Sequence, residues 1–412
     1  MEKMMNSLDA FDYSDALVLL RLDINCPIDR ETGAIVNDER IVRSLPTIRH
    51  LLSQNAKIAI LAHQGDTLDY HNLIPLEKHA VRLAERLGHP VRYIDDVCGP
   101  AAVGLIRAMK SGDVVLLGNL RYLCEEVSTF ENDVKLTPEA MEKTWLVRTL
   151  APLFDFYVNE AFSAAHRNCP SQVAFQRCLP SAAGRVFFEE YEALNKLLHK
   201  PIRPATFILG GAKISDAFGM LEGVLKNGTA DRILTGGVTG NIFLLAAGFS
   251  LGAKTEQWIR DRSLERFIDP ARRYLEDYRD RVYYPFDLAY ADGDRRVEIS
   301  RDALPAEDAL LADIGTKTIH LYEDLIESAG SVFVNGPMGM YEDSRFEKGT
   351  KAIWGKIAQS SAYSVLGGGD SVTAGQRFGM DGIDYVCTAG GAMVRFMAGK
   401  TLPLIDAMVQ KR

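Results

Sequence analysis

The sequence predicts an α/β protein of two domains, each a parallel sheet with helices on both faces. Three observations carry that expectation. Short apolar runs rich in β-branched residues recur along the chain, helical patterns separate them, and 412 residues exceed what one hydrophobic core usually supports.

The expected strands are 17–24, 58–62, 114–117, 154–158, 205–209, 232–234, 282–284, 331–334, 363–366 and 385–387. Between the first two, Ile41, Leu45, Ile48, Leu51 and Leu52 fall on one helical face. Pro75 opens a second helix through Leu76, Ala80, Leu83 and Leu87, which Gly88 ends. Strand, helix and strand repeated in this way predict parallel sheets. A boundary is expected near Gly184, before a helix over 185–200 marked by Phe187, Tyr191, Leu194 and Leu198 and stopped by Pro201 and Pro204. That helix is either a lever between two halves or one more packing helix.

Composition narrows the function. A net charge of −8, with 47% apolar and 25% charged residues, argues against a general nucleic-acid or membrane-surface binder, while leaving room for local basic pockets. Cys26, Cys98, Cys124, Cys169, Cys178 and Cys387 contain no C-x-x-C pair and read as reduced thiols of a cytoplasmic protein. No apolar segment approaches the ~20 residues of a membrane span, and the acidic N-terminal stretch does not resemble a signal peptide.

Ligands of open parallel sheets bind beyond the carboxyl ends of the strands, and the unusual residues fall there. Arg21, Asp23 and Asn25 alternate after the first strand, so they point to one side. His63, Gln64, Gly65 and Asp66 follow the second, Asn119 and Arg121 the third, Asn159, Glu160, His166 and Arg167 the fourth, and Arg40 begins the first helix. Any one of these arginines could be a surface ion pair. Several at equivalent strand ends predict a pocket for a phosphorylated or carboxylated small molecule, because guanidinium groups bind such anions bidentately.

The second half is built from glycine. Gly210-Gly211, Gly236-Gly237, Gly336 and Gly367-Gly368-Gly369 each follow a strand, where missing side chains let backbone N–H groups approach a phosphate. Lys213 stands beside the first pair, Asp370-Ser371 follows the last and starts a helix, and Glu342 could hold ribose hydroxyls. Taken alone, the Gly-Gly-Ala-Lys turn reads equally as an anion site and as an ordinary connection. Neither a P-loop nor G-x-G-x-x-G is present, so a nucleotide site of another type is expected. An anion half and a nucleotide half together point to phosphoryl transfer across a cleft that closes against water.

Arg21-Leu-Asp23-Ile-Asn25-Cys-Pro27, Phe156-Tyr-Val-Asn159-Glu-Ala-Phe-Ser-Ala-Ala-His166-Arg167, Gly210-Gly-Ala-Lys213, Asn335-Gly-Pro337-Met-Gly339, Gly367-Gly-Gly-Asp370-Ser371 and Thr388-Ala-Gly390-Gly391-Ala occur in this order across the chain. Together they resemble the phosphoglycerate kinase family, in particular its archaeal-type branch. The resemblance implies two Rossmann-like three-layer lobes joined by a hinge helix: a substrate lobe over 1–184 completed by 388–412, the helix over 185–200, and a nucleotide lobe over 201–387. It implies reversible transfer of the ATP γ-phosphoryl to the carboxylate of 3-phosphoglycerate, with Mg2+, in glycolysis and gluconeogenesis, by a monomer or homodimer. Asp23, Asn25, Arg40, His63, Arg121 and Arg167 would then bind substrate. Gly210, Gly211, Lys213, Gly236, Gly237, Asn335, Pro337, Glu342, Gly367, Gly368, Gly369, Asp370 and Ser371 would bind nucleotide, Asp370 through its Mg2+. Arg40, Lys213, Gly390 and Gly391 would serve the transferred group.

Three departures from the family pattern bear on function. Asp66 stands where members usually carry an arginine that grips the substrate's 3-phosphate; a unit charge about 4 Å away at an effective dielectric near 20 is worth roughly 4 kcal/mol. Either the loop turns Asp66 away, or His71 compensates, or the substrate lacks that phosphate. The last defines an alternative function, a related acyl-phosphate-forming kinase for another carboxylate; a weakly catalytic binding protein is the third reading. Ala217 replaces a lysine that many bacterial and eukaryotic members carry. Gly118 replaces a usual glutamate, and Ala389 a glycine, which matters if position 389 needs a positive φ.

Overall fold

The computed structural model describes residues 4–306 and 308–410. They form two compact units, one running to Tyr191 and resuming at Thr401, the other Glu192–Lys400.

After a short strand β1 (Met4–Met5), the first unit contains β2 (Leu17–Arg21), β3 (Lys57–Leu61), β4 (Arg92–Tyr93), β5 (Val114–Leu116), β6 (Phe156–Asn159) and β7 (Ser181–Ala183). All six pair in parallel in the order β4-β5-β3-β2-β6-β7. Side chains alternate across the sheet. Leu19, Ala59, Leu61, Val115 and Tyr157 enter one core; Val18, Leu20, Ile58, Ile60, Val114, Leu116 and Val158 enter the other. Burial on both faces explains why these strands read as continuous apolar runs. The helix Glu39–Ser53 covers the second face with Ile41, Leu45, Ile48 and Leu51. Helix Glu77–Leu87 starts two residues beyond the expected Pro75 and ends at Gly88, whose φ of 69° gives the left-handed cap.

In the second unit, β8 (Ala205–Leu209), β9 (Arg232–Thr235), β10 (Val282–Tyr283), β14 (Ser331–Asn335), β15 (Tyr363–Gly367) and β16 (Tyr385–Cys387) form a parallel sheet ordered β10-β9-β8-β14-β15-β16. Chain order reverses between β8 and β14, the switch point at which a Rossmann sheet opens a ligand crevice. In the first unit the corresponding reversal lies between β2 and β6. A separate antiparallel sheet, β11 (Asp287–Asp292), β12 (Arg295–Ser300) and β13 (Asp313–Ile314), was not expected, although its two-residue loop Gly293-Asp294 is a hairpin signal. Gly293, at φ 61°, makes that turn.

The helix Arg185–His199 begins beside Gly184, and the two units divide within it, at Tyr191 and Glu192. The C-terminal segment crosses back at Thr401 rather than at 388. Helix Gly391–Met397 stays with the second unit because Gly219 and Gly223 of helix Ile214–Lys226 leave room for it: a Cβ on Gly223 would lie 2.8 Å from Ala398 Cα. Beyond Thr401, Leu404 N–H donates to Ala165 O at 3.2 Å, and β17 (Val409–Gln410) pairs antiparallel with β1. Among the described residues, no helix is long and apolar enough to cross a membrane.

Helix Thr316–Glu327 is held by a carboxylate from outside it. Asp287, on β11, accepts from Lys317 N (2.9 Å), Thr318 N (2.8 Å) and Thr318 Oγ1 (2.6 Å), satisfying first-turn amides that have no partner within the helix. Asp287→Ala is expected to destabilise the protein by about 2 kcal/mol, because three donors, the two of Thr318 buried, lose one acceptor. Urea unfolding of variant and parent, compared at unchanged m-value, measures it.

Candidate functional site

Each unit presents its own site at the carboxyl ends of its strands. In the second unit the turns after β8, β9, β14 and β15 gather the glycines. Gly210 N–H donates to Asn335 O (2.9 Å), Gly211 N–H to Pro337 O (2.7 Å) and Gly237 N–H to Met338 O (2.8 Å). A Cβ on Gly210 would meet Gly336 O and Met338 Cε at 2.8 Å, so only glycine permits this approach. A small hollow of about 70 Å³ lies over these turns, lined by Gly210, Gly211, Lys213, Asn335, Gly368, Gly369, Asp370 and Gly390, and also by Asp216. It adjoins a cavity of about 370 Å³ that shares Gly211 and Asp370 with it. That cavity is largely apolar, walled by Val238, Trp258, Leu311, Pro337 and Met340, with Gly237 and Glu342 also at its surface.

Four expected residues stand elsewhere. Gly236 and Gly367 lie behind the wall, where each accommodates a methionine: a Cβ on Gly236 would be 2.6 Å from Met338 Sδ, and one on Gly367 2.8 Å from Met393 Cε. Ser371 is fully buried and its hydroxyl accepts from Gly336 N–H at 2.6 Å, fixing the β14 turn. Gly391 is the first residue of helix Gly391–Met397 and does not line either cavity. The positive φ of this segment, 52°, belongs to Gly390, so Ala389 carries no such strain. Ala217 is buried one turn into helix Ile214–Lys226.

Lys213 and Asp370 face each other across the hollow at 3.3 Å, with about half or more of each side chain exposed. Such a pair contributes little to stability and leaves both groups available to a ligand. A half-exposed carboxylate suits a divalent cation that arrives on a phosphate, since Mg2+ takes few protein ligands. Among the described residues no cluster of three or more His, Cys, Asp or Glu side chains could hold a metal unaided.

The first unit gathers charge instead of glycine. Arg21, almost fully buried at the end of β2, donates from Nη2 to His63 Nδ1 at 3.0 Å and from Nε to Ser171 Oγ at 3.3 Å. A guanidinium only donates, so Nδ1 accepts and the neutral imidazole carries its proton on Nε2. Burial, and then the charges of Arg21, Arg121, Arg167 and Arg40, hold the His63 pKa well below the usual range. Asp23 accepts from the Arg40 guanidinium, the Ser163 hydroxyl and Asn25 N–H (3.1 Å), while Asn25 Oδ1 accepts from Gly65 N–H (3.2 Å). The six expected substrate residues therefore share one neighbourhood.

Asp66 is turned inward, which overturns the expectation that its loop could carry it away. Its Oδ2 lies 3.1 Å from Arg121 Nη1 and 3.5 Å from Arg167 Nη1 and accepts from the Ser128 hydroxyl. Burial opposes its ionisation, but the Ser128 hydrogen bond, the Arg121 charge and backbone donors outweigh burial and bring the carboxyl down to about 2. His71 is exposed and lies against Tyr70 instead, the rings tilted by 36° with centroids 3.9 Å apart. Ser128, Ser163 and Glu131, which accepts from Arg167 Nε at 2.5 Å, went unread in the sequence; they lie on the short helix Ser128–Val134 and the single turn Phe162–Ala164, too brief to give a periodic signal. His63 is expected to stay neutral at pH values where an unperturbed histidine, titrating near 6.5, becomes cationic. ¹⁵N NMR of labelled protein checks this: a Nε2-protonated neutral ring should persist where an unperturbed histidine becomes cationic.

The family model for phosphoglycerate kinase matches residues 8–400. The phosphoglycerate kinase of Methanopyrus kandleri is 42% identical over 98% of this chain and 97% of its own length, and that of Methanothermus fervidus 38% identical over 98% and 97%. The crystal structure of phosphoglycerate kinase from Pyrococcus horikoshii OT3 superposes with a TM-score of 0.87 at 37% identity, covering 98% of both chains. The enzyme from Coxiella burnetii gives 0.82 at 31% identity, covering 98% of this chain and 99% of that one. None of these relatives supports a kinase for a different carboxylate. Glycine turns at one switch point, arginines at the other and matches along nearly the whole length agree: the chain belongs to the phosphoglycerate kinase family of phosphotransferases.

Proposed function

We propose that this chain catalyses the reversible transfer of the γ-phosphoryl group of ATP to the carboxylate of 3-phosphoglycerate, giving 1,3-bisphosphoglycerate and ADP, in the cytoplasm. The observation that carries the reading is the pair of adjoining cavities in the second unit. The apolar one has the size and walls for adenosine, with Glu342 placed for ribose hydroxyls, and it opens through Gly211 and Asp370 onto a glycine-lined hollow for phosphates. Lys213 stands at that hollow as the cation for the transferred group, and Gly390 contributes its backbone there. Asp370 is the one carboxylate assigned to a nucleotide-borne Mg2+, which when bound would neutralise phosphate charge. Gly236, Gly367 and Ser371 serve by shaping the turns, and Gly391 by starting the helix that follows Gly390.

On the first unit, Arg21, Arg121 and Arg167 supply positive charge for a phosphorylated acid, and neutral His63 offers Nε2–H. Asp23 and Asn25 are positioned as acceptors for a substrate hydroxyl, and Asp23 also orients Arg40. Arg40, with 43% of its side chain exposed, is assigned to the reacting carboxylate and the phosphoryl group. No side chain needs to become a nucleophile. The substrate carboxylate attacks, and the protein's part is positioning and charge neutralisation. The lobes of the family pattern correspond, on this reading, to the two units, with the helix Arg185–His199 as the hinge.

A coupled assay with MgATP and 3-phosphoglycerate tests the proposal, and absence of turnover would reject it. In the same assay Lys213→Ala is expected to lower kcat by about a hundredfold or more while nucleotide affinity changes much less. Near-parental kcat would remove Lys213 from the reacting centre.

A further inference from the structure

The donors around Asp66 make an anion site that a residue of the chain already occupies. Besides Arg121 and Arg167 on Oδ2, its Oδ1 accepts from Thr67 N–H (2.7 Å) and Thr67 Oγ1 (3.1 Å), and Ser128 N–H approaches it at 3.4 Å. Two guanidinium groups, hydroxyls and backbone amides converging on one point form the donor set that a phosphate would take. The arginines are not free to swing into solvent, because their side chains are only 5% and 16% exposed. The set also exceeds what the carboxylate uses. Among the described residues, Arg167 Nη2 is buried without a hydrogen-bond partner, although Nε of the same group is held by Glu131 and Nη1 reaches Asp66. A planar carboxylate fixed to a loop cannot reach every donor. A tetrahedral oxyanion has acceptor corners to spare.

We propose that Asp66 is the specificity-determining residue of this pocket: a tethered carboxylate that occupies the Arg121–Arg167 site and that the substrate's phosphate must displace. The inference rests on the reading above, in which the substrate carries a phosphate into the arginine pocket. With one negative charge already seated, an incoming anion is bound only to the extent that it outcompetes Asp66, so the pocket holds phosphate groups more weakly than the arginine pair alone would. Displacement also asks the loop carrying Asp66 to move. That loop, with Leu68 and Tyr70 exposed, is not anchored by core packing at those positions.

The test uses the full chain and two substitutions, Asp66→Asn and Asp66→Ser, which keep a polar side chain and remove the charge. Thermal unfolding in sodium sulfate is compared with sodium chloride at equal ionic strength. Sulfate should raise Tm more in both variants than in the parent, because the site is vacant of charge, and the KM for 3-phosphoglycerate should fall roughly tenfold while kcat changes less than about threefold. Equal sulfate shifts in parent and variants, or an unchanged or higher KM, would overturn the proposal and make Asp66 a structural counter-ion. The two readings separate cleanly. A parent inactive on 3-phosphoglycerate, with the sulfate preference of the variants intact, rejects the substrate and upholds the tethered competitor. Should one variant fail to fold, the other and the sulfate comparison still decide.

Discussion

The second unit depends on the approach of two backbone turns at its switch point. The turn of Gly210-Gly211 and the turn of Gly336-Pro337 leave adjacent parallel strands, β8 and β14, and bond to each other through Gly210 N–H and Gly211 N–H. No side chain fits between them, and the consequence spreads outward. Because the turns are closed by each other, the remaining glycine amides are free to line a hollow. Because Ser371 accepts from Gly336 N–H, the start of helix Gly369–Phe378 is fixed against the same turn, which sets Asp370 opposite Lys213. On the proposed function, phosphate recognition here would be a property of backbone placement, following from where the sheet reverses its order.

The first unit meets the opposite constraint. Its anion pocket is made of side chains, and four arginines close together repel one another unless each has a counter-charge. Asp23 serves Arg40, Glu131 serves Arg167, and Asp66 lies between Arg121 and Arg167. Glu126 accepts from Ser171 N–H (2.6 Å) and Ser171 Oγ (2.7 Å), the same hydroxyl that receives a bond from Arg21. His63 remains neutral within this group and adds a donor without adding charge. Removing Asp66 or Glu131 leaves a largely buried guanidinium with one counter-charge fewer, so each of these positions is coupled to its neighbours in a way the glycine turns are not.

The same division explains what the sequence made legible. The long central strands, buried on both faces, read as apolar runs, and the glycines and arginines expected at their ends do gather there. Arg92–Tyr93 and Ser181–Ala183 were too short and too polar or too small to stand out, yet they extend the first sheet at both edges. The hairpin of β11 and β12 has one short apolar run, Leu288–Ala291, and its second strand is polar and half-exposed, so only the Gly293-Asp294 turn marked it. Gly236 and Gly367 belong to the glycine clusters in sequence, but they face Met338 and Met393, and no count of glycines distinguishes a turn that lines a pocket from one that packs a thioether. The direction in which Asp66 points was likewise invisible, since it depends on Ser128 and two arginines that are distant in the chain.

Backbone-built and side-chain-built sites also tolerate change differently. In the second unit Ala389 replaces a family glycine without strain because the left-handed conformation falls on Gly390, and Ala217 places a small apolar side chain in a buried helical position. Neither replacement alters the amides that line the hollow. A side chain in the first unit has no such latitude. On the proposed function, an aspartate placed among guanidinium groups is not neutral toward the ligand, for it enters the set of donors assigned to that ligand. A single residue there changes what the pocket holds before any substrate arrives, while the sheet that carries the pocket, fixed by Leu19, Leu61, Val115 and Tyr157 on one face and Val18, Leu20, Ile60 and Val158 on the other, is left as it was. Sequence change that preserves the fold and shifts its ligand chemistry is therefore most effective at the carboxyl ends of the first sheet, and Asp66 stands at one of them.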